Sequence, residues 1–344
     1  MTRVALVSPY TLPFSCGNSI LAQRLQQGLV QQGYSVALFN TMETTSAEAA
    51  LFAPDILHTL NADRTYQWAS KFRAAYKKIP WVITLTGTDY NTWYAINAPP
   101  VHFRESVAQA SALVVFHRLA AETVQSCFPD AVKKVHIIAQ GVTLFTDTVD
   151  RGKVRSRYGI DTHAVAFLMV AGIRPVKRMR MAIDAFHEVQ RQVPQAALLL
   201  AGPVIDQNEA DAVLSAGSRL PCFRYLGELA PAEVRALMRA ADVFLNTSLH
   251  EGMPGAVLEA MAAGLPVIAS AIAGNRALVA DNINGFLFPA GNTPELIKKS
   301  VALALDGTLR ERLGEAGKQL VAAHYSAERE IDNYHQLYGR VFSG

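Results

Sequence analysis

Two carboxylates, Glu251 and Glu259, lie eight positions apart in the run HEGMPGAVLEAMAAGLPVIAS, residues 250–270. They bracket a Gly252-Met253-Pro254-Gly255 turn and the first turns of an Ala-rich helix, and an apolar strand, Pro266–Ser270, follows at once. Proline fits a helix's first turn, where its missing N–H has no partner to lose. The turn can then approach a phosphate closely, with helix amides and a positive dipole end facing it. One acid lies at the mouth of the turn and the other about two turns deeper. Two glutamates at this spacing are commonly just solvated; the strand–loop–helix–strand setting marks these for chemistry. Placed so, they grip hydroxyls on either side of a diphosphate, as a nucleotide-sugar donor requires.

Those loops need strands to hold them. Short β-branched runs alternate with helical stretches almost to the end of the chain, which implies α/β architecture with parallel sheets and crossover helices. The strands expected in the first half are Val4–Ser8, Val36–Phe39, Ile56–Thr59, Trp81–Leu85, Leu113–Phe116 and Val135–Ile138. In the second half they are Val165–Val170, Ala197–Ala201, Arg224–Leu226, Val243–Asn246, Val267–Ser270 and Gly285–Phe288. Between the halves, residues 142–161 turn polar and read as a linker. Six strands on each side predict two Rossmann-like domains, 1–150 and 151–323, followed by a terminal helical segment, 324–344. Tyr334, Leu337, Tyr338 and Val341 give that last helix an apolar stripe, which can pack on either domain.

Ligands bind beyond the carboxyl ends of such strands, so with two facing sheets the cleft between them is the expected site. Three post-strand segments carry further candidate groups. Gly17 and Asn18 open a helix after the first strand, suited to phosphate or acceptor contact or to a plain turn. LTGTDY follows the fourth strand with Thr86, Gly87 and Asp89, the acid serving either the site or a helix cap. Arg174 and Lys177 follow the first strand of the second half, with Gly172 allowing the bend; two cations there would neutralise a diphosphate and stabilise its departure.

Composition narrows the class. The 344 residues are 50% hydrophobic and 18% charged with net charge +3, so the chain is a folded one with no basic tract for nucleic acid. No apolar run is long enough for a transmembrane segment, and MTRVALVSPY reads as a buried strand rather than a signal peptide. Cys16, Cys127 and Cys222 form no CxxC pair, which fits a reducing, cytoplasmic setting and argues against structural zinc. No Asp-x-Asp occurs either, so no metal or cofactor is expected, and Arg174, Lys177 and the helix terminus stand in for a divalent ion.

The E-x7-E run resembles the signature of the family 4 retaining glycosyltransferases, enzymes of the GT-B fold. The resemblance spans nearly the whole chain, from CGNS to HYSAEREIDNYHQLY. It implies two Rossmann-like domains facing an interdomain cleft, and a last helix that returns to the N-terminal domain. It implies that Glu251 contacts the donor sugar's hydroxyls and Glu259 the ribose, and that the turn at Gly202 lies near the base and phosphates. Several positions depart from the family pattern. Thr86 stands where many members carry histidine, G-I-R-P-V-K replaces G-R-x4-K, and Ala277 stands where Glu is usual. TGTD, LGE and A-G-N look like two related groups, the glycosyltransferase 1 domain-containing proteins of animals and the bacterial selenosugar synthases. The expected activity is metal-independent, retaining transfer from a nucleoside-diphosphate sugar, UDP-GlcNAc or UDP-glucose, to an unidentified small acceptor. Two alternatives stay open: C–Se or C–S bond formation with selenophosphate or a sulfur analogue, and an inactive sugar-nucleotide sensor.

Overall fold

The computed structural model describes residues 1–344 except 13, 15, 77, 95–97, 146–148 and 344, and omits the side chains of Thr92, Tyr94 and Ser343. Twelve strands form among these residues: β1 Arg3–Ser8, β2 Ser35–Asn40, β3 Ile56–Leu60, β4 Trp81–Thr84, β5 Ala112–Val115, β6 Val135–Ile137, β7 Val165–Val170, β8 Ala196–Ala201, β9 Phe223–Tyr225, β10 Val243–Asn246, β11 Val267–Ser270 and β12 Gly285–Phe288. They build two six-stranded sheets, ordered β2-β1-β3-β4-β5-β6 and β12-β11-β10-β7-β8-β9. All pairings are parallel, beginning with Val4 opposite both Val36 and Ile56 in the first sheet. Parallel sheets are covered on both faces, and the central strands are accordingly continuous apolar runs. Val4–Val7 and Phe167–Leu168 are fully buried.

Contacts divide the chain into two compact units. The first contains Met1–Gly141, Glu251–Met253 and Ala327–Gly344; the second contains Val142–His250 and Pro254–Ser326. Trp81, Phe72 and Phe103 anchor the first core. Phe167 and Phe186, ring centroids 5.0 Å apart, anchor the second.

The stretch 142–161, expected as a polar linker, contains a helix at Arg151–Arg157. Asp150 caps it, accepting from Lys153 N–H at 3.0 Å. The helix is held by charge rather than apolar surface: buried Arg155 pairs with Asp242 at 3.4 Å, and the same carboxylate accepts from Ala166 N–H at 2.7 Å. A hydrophobic-periodicity reading has no access to such an anchor. Positions 146–148 of the stretch lie outside the described residues.

In the first unit the helix Ala327–Ser343 packs on the helix Gly17–Gln31. A side chain at Gly28 would collide with Ile331, its Cβ falling 2.4 Å from Cγ1. Beneath that contact His58 is fully buried, with Nδ1 2.6 Å from Tyr338 Oη and Nε2 2.8 Å from Thr84 Oγ1. Tyr334 Oη lies 2.9 Å from the same Thr84 hydroxyl, and Arg24 pairs with buried Glu330 at 2.6 Å.

Burial drives the His58 pKa down to about 3. The unfolded chain takes up this proton near pH 6.5 and the native one does not, so acid costs stability across that window. We predict that the stability of His58→Gln relative to the native chain rises by about 1.4 kcal/mol per pH unit as pH falls from 6 to 4. Urea unfolding across this range measures the slope; a flat difference would show that His58 is protonated within the fold.

Candidate functional site

In the second sheet the strand order reverses between β7 and β10, and the carboxyl ends at such a point form a ligand crevice. After β7 the chain enters a 3₁₀ turn, Pro175–Lys177, with Arg174 immediately before it and both cations half-buried. After β10 comes Thr247–Leu249. Thr247 Oγ1 donates to the carbonyls of Lys177 (2.7 Å) and Arg178 (3.2 Å), and Leu249 N–H donates to Val176 O at 2.9 Å. The cationic turn is therefore fixed to the segment that follows β10. Arg178 closes the turn in the left-handed region, φ 50°, a conformation costing roughly 1–3 kcal/mol for a non-glycine residue. The hydrogen bonds its carbonyl accepts from Thr247 and Met181 N–H (3.1 Å) offset that strain.

A second tier supports this loop. Asn275 Nδ2 donates to Ser270 O at 2.8 Å and to Asn246 Oδ1 at 3.2 Å, and Ser270 Oγ donates to Ser248 O at 2.5 Å. Asn275 and Ser270 are wholly buried, so these hydrogen bonds work in low dielectric, although Asn275 Oδ1 is buried with no hydrogen-bond partner among the described residues.

Three expected residues take positions that residue type and spacing did not foretell. Pro254 precedes the helix Gly255–Ala262 as its cap residue (φ −75°, ψ 104°) rather than lying in its first turn; its carbonyl accepts from Val257 and Leu258 N–H at 3.0 and 3.2 Å. Glu259 is half-buried at the fifth position of that helix, which Gly255 opens. Gly202 spends its N–H on Gly227 O (2.8 Å), and its carbonyl accepts from Tyr225 Oη (2.9 Å). With φ +147° and a would-be Cβ only 2.2 Å from Ala171 O, Gly202 serves the close approach of the β7 and β8 ends.

The first unit holds the other candidates: Gly17, Asn18, Thr86, Gly87, Asp89, Glu251, Gly252 and Met253. Three side chains grip three successive carbonyls. Asn91 Nδ2 donates to Glu251 O (3.3 Å), His117 Nε2 to Gly252 O (2.8 Å) and Gln140 Nε2 to Met253 O (3.0 Å). Asn91, His117 and Gln140 follow β4, β5 and β6 in turn. His117 Nδ1 accepts from Ala120 N–H at 3.1 Å, so the proton belongs on Nε2, and desolvation lowers its pKa and keeps the ring neutral. Motif and spacing singled out none of the three, although each stands just past a strand, where functional groups gather.

Gly87, at φ +111°, lies directly against Gly252: a Cβ on Gly87 would fall 2.5 Å from the Gly252 Cα, and one on Gly252 would fall 2.3 Å from Thr86 O. Asp89 is wholly buried and accepts from Ala62 N–H (2.9 Å), Gly87 N–H (2.9 Å) and Thr86 N–H (3.3 Å). Burial raises its pKa to about 6, partly countered by those amides. Asp89 thereby holds the 86–87 backbone. Asn61 bridges Thr86 and Thr88 through Nδ2, 2.9 Å to each hydroxyl. Gly17 is exposed and Asn18 half-buried at the start of the helix Gly17–Gln31, with open space where a Gly17 Cβ would stand.

The glycine packing carries a direct test. Gly252→Ala is expected to lower the thermal midpoint of the free protein by several degrees, about 2 kcal/mol or more, because a Cβ meets a carbonyl that cannot yield. Scanning calorimetry checks it, and a native-like midpoint would contradict the contact.

Residues 150–320 match the family described as Glycosyl transferases group 1. The chain is 26% identical over 327 residues to glycosyltransferase 1 domain-containing protein 1 of Xenopus tropicalis, covering 93% of each. It is 25% identical over 267 residues to N-acetyl-alpha-D-glucosaminyl L-malate synthase of Bacillus anthracis, covering 76% of this chain and 68% of that one. Among solved structures, Anabaena HepE in complex with UDP-glucose superposes with TM-score 0.83 at 17% identity, over 99% of this chain and 100% of that one. Sucrose-phosphate synthase from Thermosynechococcus elongatus gives 0.82 at 18%, over 100% of both chains. Two six-stranded parallel sheets with GT-B neighbours and a group 1 domain lead to one assignment: this chain is a glycosyltransferase of the GT-B fold.

Proposed function

We propose that the chain transfers a sugar from a UDP-sugar, UDP-GlcNAc or UDP-glucose, with retention of anomeric configuration and without a metal ion. The observation that carries this reading is the stitching of Thr247 and Leu249 to the Val176–Arg178 backbone at the β7/β10 switch point. It presents Arg174 and Lys177 as a fixed cationic turn where an α/β sheet receives phosphates. The helix beginning at Gly255 adds its positive end, and Glu259 takes ribose hydroxyls. Glu251 takes hydroxyls of the transferred sugar, with Gly252, Met253, Thr86 and Gly87 shaping its surroundings. The UDP-glucose in the Anabaena relative's structure supports the choice of donor.

The chemistry asks chiefly for leaving-group stabilisation. An acceptor hydroxyl oxygen bonds to the anomeric carbon as the bond from that carbon to the diphosphate breaks. The hydroxyl proton leaves with the diphosphate, whose charge Arg174 and Lys177 neutralise. Preorganised charges aimed at developing charge are commonly the largest catalytic contribution. Front-face departure with ion-pair character is the mechanism this favours.

UDP-glucose or UDP-GlcNAc should raise the thermal midpoint of the native chain, since a ligand bound only by the folded state stabilises it. Lys177→Ala and Glu251→Ala should each cut UDP release from the bound donor by roughly 100-fold or more while leaving the fold intact. EDTA should leave the native rate unchanged. Near-native turnover in either variant would refute the assigned roles, and EDTA inactivation would refute metal independence.

A further inference from the structure

The first sheet has its own reversal, between β1 and β3, and the same topological rule puts a crevice beyond their carboxyl ends. The segment after β1 brings Tyr10; the helix after β3, Ala62–Ala75, brings Asp63 and Arg64 in its first turn. Arg64 lies over the Tyr10 ring, its guanidinium carbon 5.2 Å from the centroid, so the two sides of the reversal meet in one contact. His102, early in the helix Val101–Gln109, places Nε2 2.8 Å from Asp63 Oδ1, with side-chain exposures of 38% and 28%. Tyr66 lies beside His102, ring centroids 5.5 Å apart and planes tilted by 45°, and its hydroxyl donates to Glu105. Asn61, whose side chain joins Thr86 to Thr88, holds the segment at φ 72°. Like Arg178 at the other reversal, it is a non-glycine residue in a left-handed conformation, a kind of strain that gathers at binding sites.

We infer that this β1/β3 crevice binds the glycosyl acceptor, and that the acceptor is a neutral polyhydroxylated ring, a sugar or a cyclitol. The inference rests on the proposed sugar-transfer reading but on none of the residues given to the donor. Asp63 and His102 together supply a half-exposed carboxylate that accepts from hydroxyls and an imidazole able to donate or accept. Tyr10 and Tyr66 supply flat apolar surface for the C–H face of a ring. Arg64 is set against two carboxylates, Asp63 and Glu105, so the cluster has no net pull on an anion. Without excess positive charge, hydroxyl-directed and aromatic-walled, it selects for polyols over carboxylates and phosphates.

Saturation-transfer NMR on the full chain, with D-glucose, N-acetylglucosamine, myo-inositol, L-malate and inorganic phosphate as separate probes, tests this. At least one of the three neutral probes should bind. The near-isosteric Asp63→Asn and the truncating Tyr10→Ala should each weaken it by about tenfold or more, the loss expected for a hydrogen bond to a charged group or for a ring contact. Binding of UDP, read by thermal shift, should be unchanged in both variants, which also reports that they fold. The inference is overturned if no neutral probe binds, if binding survives both substitutions, or if only L-malate or phosphate binds. Failure of UDP to bind the native chain would overturn the donor reading alone, and the polyol arm would still decide this one.

Discussion

The hydrogen bonds from Thr247 and Leu249 to the backbone of Val176–Arg178 set the order of everything built in the second unit. A cationic turn on its own is a mobile surface feature whose charges are screened and entropically expensive to order. Tied to the end of β10, it inherits the rigidity of the sheet. Asn275 and Ser270 extend that rigidity one layer below, where no solvent competes for their hydrogen bonds. The backbone of the turn that carries Arg174 and Lys177 is thereby fixed to the end of the sheet.

The first unit solves a similar problem by different means. Holding Glu251–Met253 takes three neutral donors, Asn91, His117 and Gln140, each on a peptide carbonyl. Neutral donors are well suited to gripping carbonyls, because a buried cation would demand compensation by several kcal/mol, whereas an amide or neutral imidazole is satisfied by one or two partners. Asp89 is the exception, a buried acid whose desolvation is met by three backbone N–H groups. Gly87 and Gly252 then complete the fit, since any side chain at either position would part the two backbones. Thr86 is drawn into the same hydroxyl-and-amide lattice through Asn61.

Much of the fold could be read from the sequence because parallel strands buried on both faces announce themselves as short apolar runs. All twelve expected strands form, most within one residue of their expected ends. The helix Arg151–Arg157 could not be read that way, since its anchor is the Arg155–Asp242 pair and periodicity is blind to buried charge. The site divided along the same line. Charged groups in post-strand loops, Arg174, Lys177 and Glu251, stand out as candidates by type and place. His117, Gln140 and Asn275 were not, because a lone amide or imidazole gives no sign in one dimension of the carbonyl it will meet in three. Asp89 was ambiguous for a related reason: its residue type fits cap and catalyst equally, and only its zero exposure separates them.

The eight-residue spacing of Glu251 and Glu259 also takes on a different physical meaning. A helical interval would place both acids on one rigid rod, but the helix begins at Gly255, and only Glu259 belongs to it. From Gly255 to Glu259 the rise is about 6 Å, so Glu259 is positioned by helix geometry and by the burial of Val257, Leu258 and Met261 around it. Glu251 is positioned instead by carbonyl grips on its own residue and the two after it. Changes to the helix core should therefore disturb Glu259 while sparing Glu251, and changes at His117 or Gly87 should do the reverse. The motif is best understood as two independently supported acids separated by a proline cap, and the fixed length between them reflects that turn rather than helical periodicity.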